Sequence, residues 1–217
     1  MTSKQERAEA FKQIDLYPVI SSEFCNGRNP VDVLKAVADG GAGIVQMREK
    51  NLNEPDFMKM AEEFRKVTEA FNMLLIINDN VHAASEVGAD GVHLGQNDMP
   101  LSEAKQIAPD IIIGVSTHSF SEIESAQKDK ADYINIGPIF STATKTLSIQ
   151  PLGPDFLRKA LEIVKVPFTV MGGIKQQHIP ELLALNATRI AMVTEITQAE
   201  NITQRVQQLR KLWPDSL

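Results

Sequence analysis

Residues 74–79 read Leu74-Leu75-Ile76-Ile77-Asn78-Asp79. A short unbroken apolar run suits a strand buried on both faces, as in a parallel sheet covered by helices. This run stops on an amide and a carboxylate. The same pattern recurs on both sides of it. Residues 44–48 close on Gln46 and Arg48, with Lys50 just beyond, and residues 91–94 are followed by Gln96 and Asp98. Residues 111–115 lead to Ser116, and residues 133–136 lead to a loop bearing Thr142, Thr144 and Lys145. Residues 168–171 lead to Gly172-Gly173. Residues 16–19 open the series, and 189–193, followed by Thr194, close it.

Helical stretches separate these strands. Residues 55–71 carry Phe57, Met60, Ala61, Phe64, Val67 and Phe71 at helical spacing on one face. Asn29-Pro30 opens a helix through Ala38, which Gly40-Gly41 stop. Ser119 and Glu122 form a capping-box pattern. Further helices are expected over 81–87, 101–108, 154–164, 177–185 and 199–212, and one precedes the first strand. Strand alternating with helix implies an α/β class with a parallel sheet. Eight such units without a linker predict a single domain over residues 1–217, a (β/α)8 TIM barrel with an extra N-terminal helix, in preference to an open doubly wound sheet. Residues that close successive barrel strands converge on one face whatever their distance in sequence.

Composition narrows the partners. Among 217 residues, 43% are hydrophobic and 23% charged, ordinary for a soluble globular domain. The formal net charge of −6 gives no basic field for nucleic acid. No apolar run approaches a membrane span and the N-terminus has no signal-peptide core, so a cytoplasmic protein is expected. One cysteine, Cys25, excludes an intramolecular disulfide and reads as a small buried hydrophobe. A homo-oligomer is compatible with the sequence, which does not specify one.

The strand ends carry the chemistry. Gln46, Arg48 and Lys50 alternate, so an extended backbone puts them on one side. A guanidinium fork and an ammonium suit phosphate oxygens. Asp79 and Asp98 follow adjacent strands and are placed to share one Mg²⁺, which takes one or two carboxylates beside water and phosphate oxygens. Helix capping is the competing reading for both. Residues 137–145 open the longest loop, with hydroxyls and Lys145 fit to close over a polyphosphate, or merely solvated. Gly172-Gly173, with Val193-Thr194, occupies the usual phosphate position of such barrels. The histidines form no metal set. His93 reads as a hydrogen-bonded core residue and His82 and His178 as solvent-facing, while His118 falls on the functional face.

Taken together, VQMREK, INDN, GVHLGQND, GVSTHS, IGPIFSTATK and MGGI, in that order, resemble the thiamine-phosphate synthase family over roughly residues 14–197. The resemblance implies a (β/α)8 barrel that joins hydroxymethylpyrimidine diphosphate to phosphorylated hydroxyethylthiazole, releasing pyrophosphate with Mg²⁺. It implies that Arg48, Lys50, Asn78 and Lys145 hold the diphosphate and that Asp79 and Asp98 ligate the metal. It gives Gln46 and Ser116 to the pyrimidine, and Thr142, Thr144, Gly173, Val193 and Thr194 to the thiazole phosphate. Arg48, Lys50, Ser116 and Lys145 would serve the reaction itself. The family's reaction is dissociative and needs no dedicated nucleophile. The chain departs from the family pattern at Asn186-Ala187-Thr188-Arg189, where Gly-Ala-Asp-Gly is usual, and at Asn80, Ser141 and Thr194. The alternatives are a thiazole tautomerase on the same barrel, with His118 as acid/base, and a non-catalytic sensor of thiamine-pathway phosphates.

Overall fold

The structure, a computed structural model, describes residues 3–142 and 150–214. Among them, eight parallel strands close into a barrel in sequence order. They are β1 (Leu16–Ile20), β2 (Ile44–Met47), β3 (Leu74–Asn78), β4 (Gly91–Leu94), β5 (Ile112–Thr117), β6 (Tyr133–Ile136), β7 (Phe168–Val170) and β8 (Ile190–Met192). The helices are α1 (Lys4–Lys12), α2 (Pro30–Asp39), α3 (Glu54–Ala70), α4 (Val81–Glu86), α5 (Leu101–Ile107), α6 (Phe120–Lys128), α7 (Gly153–Ala160), α8 (Ile179–Ala184), α9 (Thr194–Thr197) and α10 (Ile202–Arg210). No helix among the described residues is long and apolar enough to cross a membrane.

Most expected elements form, with shifted ends. β5 runs on to Thr117, so Ser116 lies inside the strand rather than after it. The helix expected over 177–185 opens with a 3-10 turn at Gln176–His178. The closing helix starts only at Ile202, where Asn201 accepts a hydrogen bond from the Gln204 N–H. The short α9 before it was not foreseen, since four residues carry no periodicity. At α6 the capping box is half closed. Ser119 accepts from the Glu122 N–H, but the Glu122 carboxylate reaches back to the N–H of His118, 2.6 Å away.

Alternation along the strands sends one set of side chains outward, under the helices, and another into the barrel. Tyr17, Val19, Ile44, Leu74, Ile76, Ile112, Tyr133 and Ala191 fill the interior together with Phe11 from α1. The Phe11 ring lies 4.2 Å from that of Tyr133, so α1 plugs the foot of the barrel. Space for Tyr133 comes from Gly114, where a Cβ would stand 2.0 Å from the ring. Ion pairs hold α1 in place: Lys4 to Asp132 at 2.8 Å and Arg7 to Asp90 at 3.2 Å. Arg189 donates to the carbonyls of Phe11, Lys12 and Phe168 at 3.3, 3.0 and 3.4 Å. Asn186 takes a left-handed conformation, φ 60°, matching Gly88 at 64°. Asn tolerates that region. The departures at 186–189 therefore belong to the foot of the barrel.

Candidate active site

At the opposite end, the strand termini surround a cavity of about 890 Å³. All eight strands or the loops leaving them contribute to it. Gln46, Arg48, Lys50, Asn78, Asp79, Asp98, Ser116, Thr142 and Val193 line it, as does His118. Gly173 and Thr194 do not line it, though Gly172 does. Thr144 and Lys145 lie outside the described residues.

The cationic side is supplied by β2. Its last inward side chain, Gln46, is buried, and Arg48 and Lys50 continue the alternation past the strand. The Arg48 N–H donates to the Ile20 carbonyl at 2.8 Å, which prolongs the β1–β2 ladder and fixes the direction of the side chain. Among the described residues the Arg48 guanidinium has no ion-pair partner, whereas Lys50 is paired with Asp79.

Neither carboxylate caps a helix. Asn80 caps α4, accepting from the Ala83 N–H at 2.9 Å, which also accounts for Asn at that departure. Pro100 occupies the cap position of α5. Asp79 and Asp98 are thus left to face the cavity. Asp79 adopts φ 62°, and its N–H donates to the His93 carbonyl at 2.8 Å. Asp98 accepts from the Gly95 N–H at 2.6 Å. The two carboxyls lie within hydrogen-bonding reach of each other. Burial and then the Asp98 contact push the Asp79 carboxyl up, while Lys50 opposes them. Burial also raises Asp98, but the hydrogen bonds from Asp79 and Gly95 and the charges of Lys50 and His93 outweigh it and bring Asp98 below its ordinary value.

The far wall comes from β6, β7 and β8. Gly172 and Gly173 take φ 103° and 61°, and a Cβ on Gly173 would meet the Ser141 carbonyl oxygen at 2.1 Å. The close approach these glycines permit is to the loop after β6, whose Phe140 N–H donates to the Gly172 carbonyl at 2.9 Å. Thr194 faces Lys175, with Nζ and Oγ1 3.5 Å apart. Lys175 also pairs with Glu195 at 3.1 Å. His178 stacks on Phe140 with ring centroids 3.9 Å apart, so it is not the solvent-facing residue expected, whereas His82 is exposed. His118 donates from Nδ1 to the Gly137 carbonyl.

Two interior residues of the cavity were not marked by sequence as part of a site. Asn135, in β6, accepts from the Thr169 hydroxyl through Oδ1 at 2.9 Å. His93 has the hydrogen bonds of a core histidine, to Tyr133 and Ser116, yet also lines the cavity. Inward alternation within β4 and β6 was the available signal.

The chain as a whole is similar to known proteins. A thiamine-phosphate synthase of Caldicellulosiruptor saccharolyticus is 39% identical over 212 residues, 97% of this chain and 95% of its own. One of Chloroflexus aurantiacus is 39% identical over 197 residues, 91% of each. The solved thiamine phosphate pyrophosphorylase of Pyrococcus furiosus superposes with a TM-score of 0.86 at 33% identity, covering 93% of this chain and 96% of that one. Residues 16–196 match the family model described as thiamine monophosphate synthase, and the chain belongs to that family.

Proposed function

We propose that the cavity joins the methylene carbon of hydroxymethylpyrimidine diphosphate to the ring nitrogen of hydroxyethylthiazole phosphate, giving thiamine phosphate and pyrophosphate. The observation that carries the reading is the meeting of Arg48 and Lys50 with Asp79 and Asp98 in one cavity at the ends of β2, β3 and β4. Two cations suit the departing diphosphate. Two carboxylates that face the cavity suit a hard divalent cation.

The carbon–oxygen bond to the diphosphate breaks first, and its electron pair leaves with the diphosphate. The aminopyrimidine supports the methylene cation until the thiazole nitrogen donates its lone pair. The protein's work is then to stabilise charge on the leaving group and to exclude water. Arg48, Lys50, Asn78 and Lys145 hold the diphosphate. Gln46 and Ser116 hold the pyrimidine ring. Thr142, Thr144 and Val193 hold the thiazole phosphate, while Gly173 and Thr194, which do not line the cavity, back the loop after β6 and Lys175.

The donor set fits Mg²⁺. Among the described residues no group of three or more metal-binding side chains gathers. A pair of carboxylates is what Mg²⁺ uses when phosphate oxygens and water complete its shell. Asp79 and Asp98 would hold it, and when bound it neutralises charge on the diphosphate.

The test is an end-point assay of thiamine phosphate, oxidised to thiochrome, from both substrates with Mg²⁺, with and without EDTA. Product that disappears with EDTA is expected. A folded sample that forms no product would refute the reading.

A further inference from the structure

The chain leaves β1 through a 3-10 turn at Ser22–Phe24, which brings Glu23 and Phe24 to the cavity wall. The turn stands between two parts of the site, because β1 pairs with β2 on one side and β8 on the other. Both neighbours hold it. From the β2 side, Glu49 Oε1 accepts from the Ser22 N–H and hydroxyl at 2.7 and 2.8 Å. Arg48 and Lys50 line the cavity, and Glu49 between them does not, as alternation requires. From the β8 side, the buried Thr197 of α9 donates its hydroxyl to the Phe24 carbonyl at 2.7 Å. Within the turn, the Phe24 N–H donates to the Ser21 carbonyl at 2.9 Å.

The Phe24 main chain is thus fixed, yet the fold does not use its ring. Phe24 is half-buried, and among the described residues it joins neither hydrophobic cluster and stacks on no other ring. Phe140, across the cavity, is different: it packs against the core and stacks on His178. A firmly anchored aromatic face, left open in a cavity that takes two aromatic rings, suits stacking on one of them.

We propose that Phe24 is a substrate-binding residue whose ring stacks on the thiazole, and that Thr197 is the positioning residue that holds it there. The inference rests on the synthase reading, which puts the thiazole phosphate at Val193 and the pyrimidine at Gln46 and Ser116. Val193 immediately precedes α9, and Thr197 ties Phe24 to that same short helix. The ring therefore belongs to the thiazole side of the cavity. Charge adds to the contact. When the thiazole nitrogen donates its lone pair the ring becomes a thiazolium cation, and the face of a phenyl ring attracts a cation.

The test is steady-state kinetics with each substrate varied in turn, and with thiamine phosphate as product inhibitor. Phe24→Leu keeps an apolar side chain and removes the ring. It is expected to raise the KM for the thiazole phosphate by about 3–10-fold, the scale of one aromatic pair, with the KM for the pyrimidine diphosphate within about twofold of wild type. The inhibition constant of thiamine phosphate should rise at least as much. Phe24→Tyr keeps the aromatic face and should restore both constants. Thr197→Val should shift them in the same direction, and should add nothing in a Phe24→Leu background, since it acts through that ring. Phe24→Met carries the same expectations if the Leu variant does not fold. A merely structural role would lower melting temperature without moving the thiazole constants. Unchanged constants in Phe24→Leu, or a rise confined to the pyrimidine diphosphate, overturn the inference while the synthase reading stands. An additive effect of Thr197→Val overturns its positioning role. Absence of turnover in the wild-type protein overturns the synthase reading and the inference with it.

Discussion

Lys50 is ion-paired with Asp79, and the carboxylate it meets is held on a left-handed backbone position, φ 62°, directly after β3. Asp and Asn accept that conformation and most residues resist it. Asp79→Asn should therefore keep the melting temperature and lose Mg²⁺-dependent turnover. Asp79→Ala should lose turnover and also stability, by about 1–2 kcal/mol of backbone strain. Asp98→Ala should abolish turnover with the fold intact. Calorimetric unfolding beside the Mg²⁺ titration separates these outcomes, and full activity in Asp98→Ala would remove that residue from the metal site.

Arg48 has no ion-pair partner among the described residues, so its removal breaks no such pair there. Arg48→Ala should reduce kcat/KM by roughly 10–100-fold, the equivalent of a charge-assisted hydrogen bond of about 1.5–3 kcal/mol. Thermal stability should stay within about 0.5 kcal/mol of the parent, as at ordinary surface positions. Steady-state kinetics with varied pyrimidine diphosphate checks the first statement. An unchanged kcat/KM would place the guanidinium outside the site.

Gly114 faces the Tyr133 ring with no space for a methyl group, the added Cβ standing 2.0 Å away. Gly114→Ala should cost about 1–3 kcal/mol by overpacking. Denaturant unfolding is the direct measurement. A neutral result would mean that β5 and β6 can separate without penalty at that level.

Cys25 is buried, and burial, reinforced by the charge of Glu49, pushes its thiol up to about 11. It should resist thiol reagents at neutral pH until the protein unfolds. The sign of the linkage follows from the proton being held more tightly in the folded state. Stability from this group is complete below the ordinary thiol value of 9.0 and declines as pH rises towards 11. Rapid labelling of the native protein at neutral pH would contradict this.

Arg189 ties the start of β8 to the carbonyls of Phe11 and Lys12. Arg189→Ala should lower stability by about 1–3 kcal/mol, since three main-chain acceptors, two of them half-buried, lose their donor. It should leave kcat/KM unchanged, because the cavity opens at the other end of the barrel. A kinetic effect without a stability effect would reverse that assignment.

The strand ends were legible because a buried parallel strand must be apolar throughout, so a polar residue at its end stands out. Arg48, Asn78 and Asp98 were found in that way. His93 and Asn135 were harder, because a polar residue inside a strand reads equally as a satisfied core group. Only closure of the barrel shows that the inward face of β4 and β6 reaches the cavity. The capping reading of Asp79 and Asp98 also needed coordinates, since Asn80 and Pro100 are placed to take the caps instead. Arg189 was ambiguous for a simpler reason. Two of its three partners are main-chain oxygens of residues 178 and 177 positions earlier, and carbonyls leave no trace in side-chain patterns.

That long reach bears on the order in which the molecule assembles. The plug at the foot of the barrel precedes all eight strands in sequence, yet three of its fasteners lie at Asp90, Asp132 and Arg189. Contacts so distant in sequence form only after much loop-closure entropy has been spent. Helix α1 is therefore fully fastened only once β8 is in place beside it.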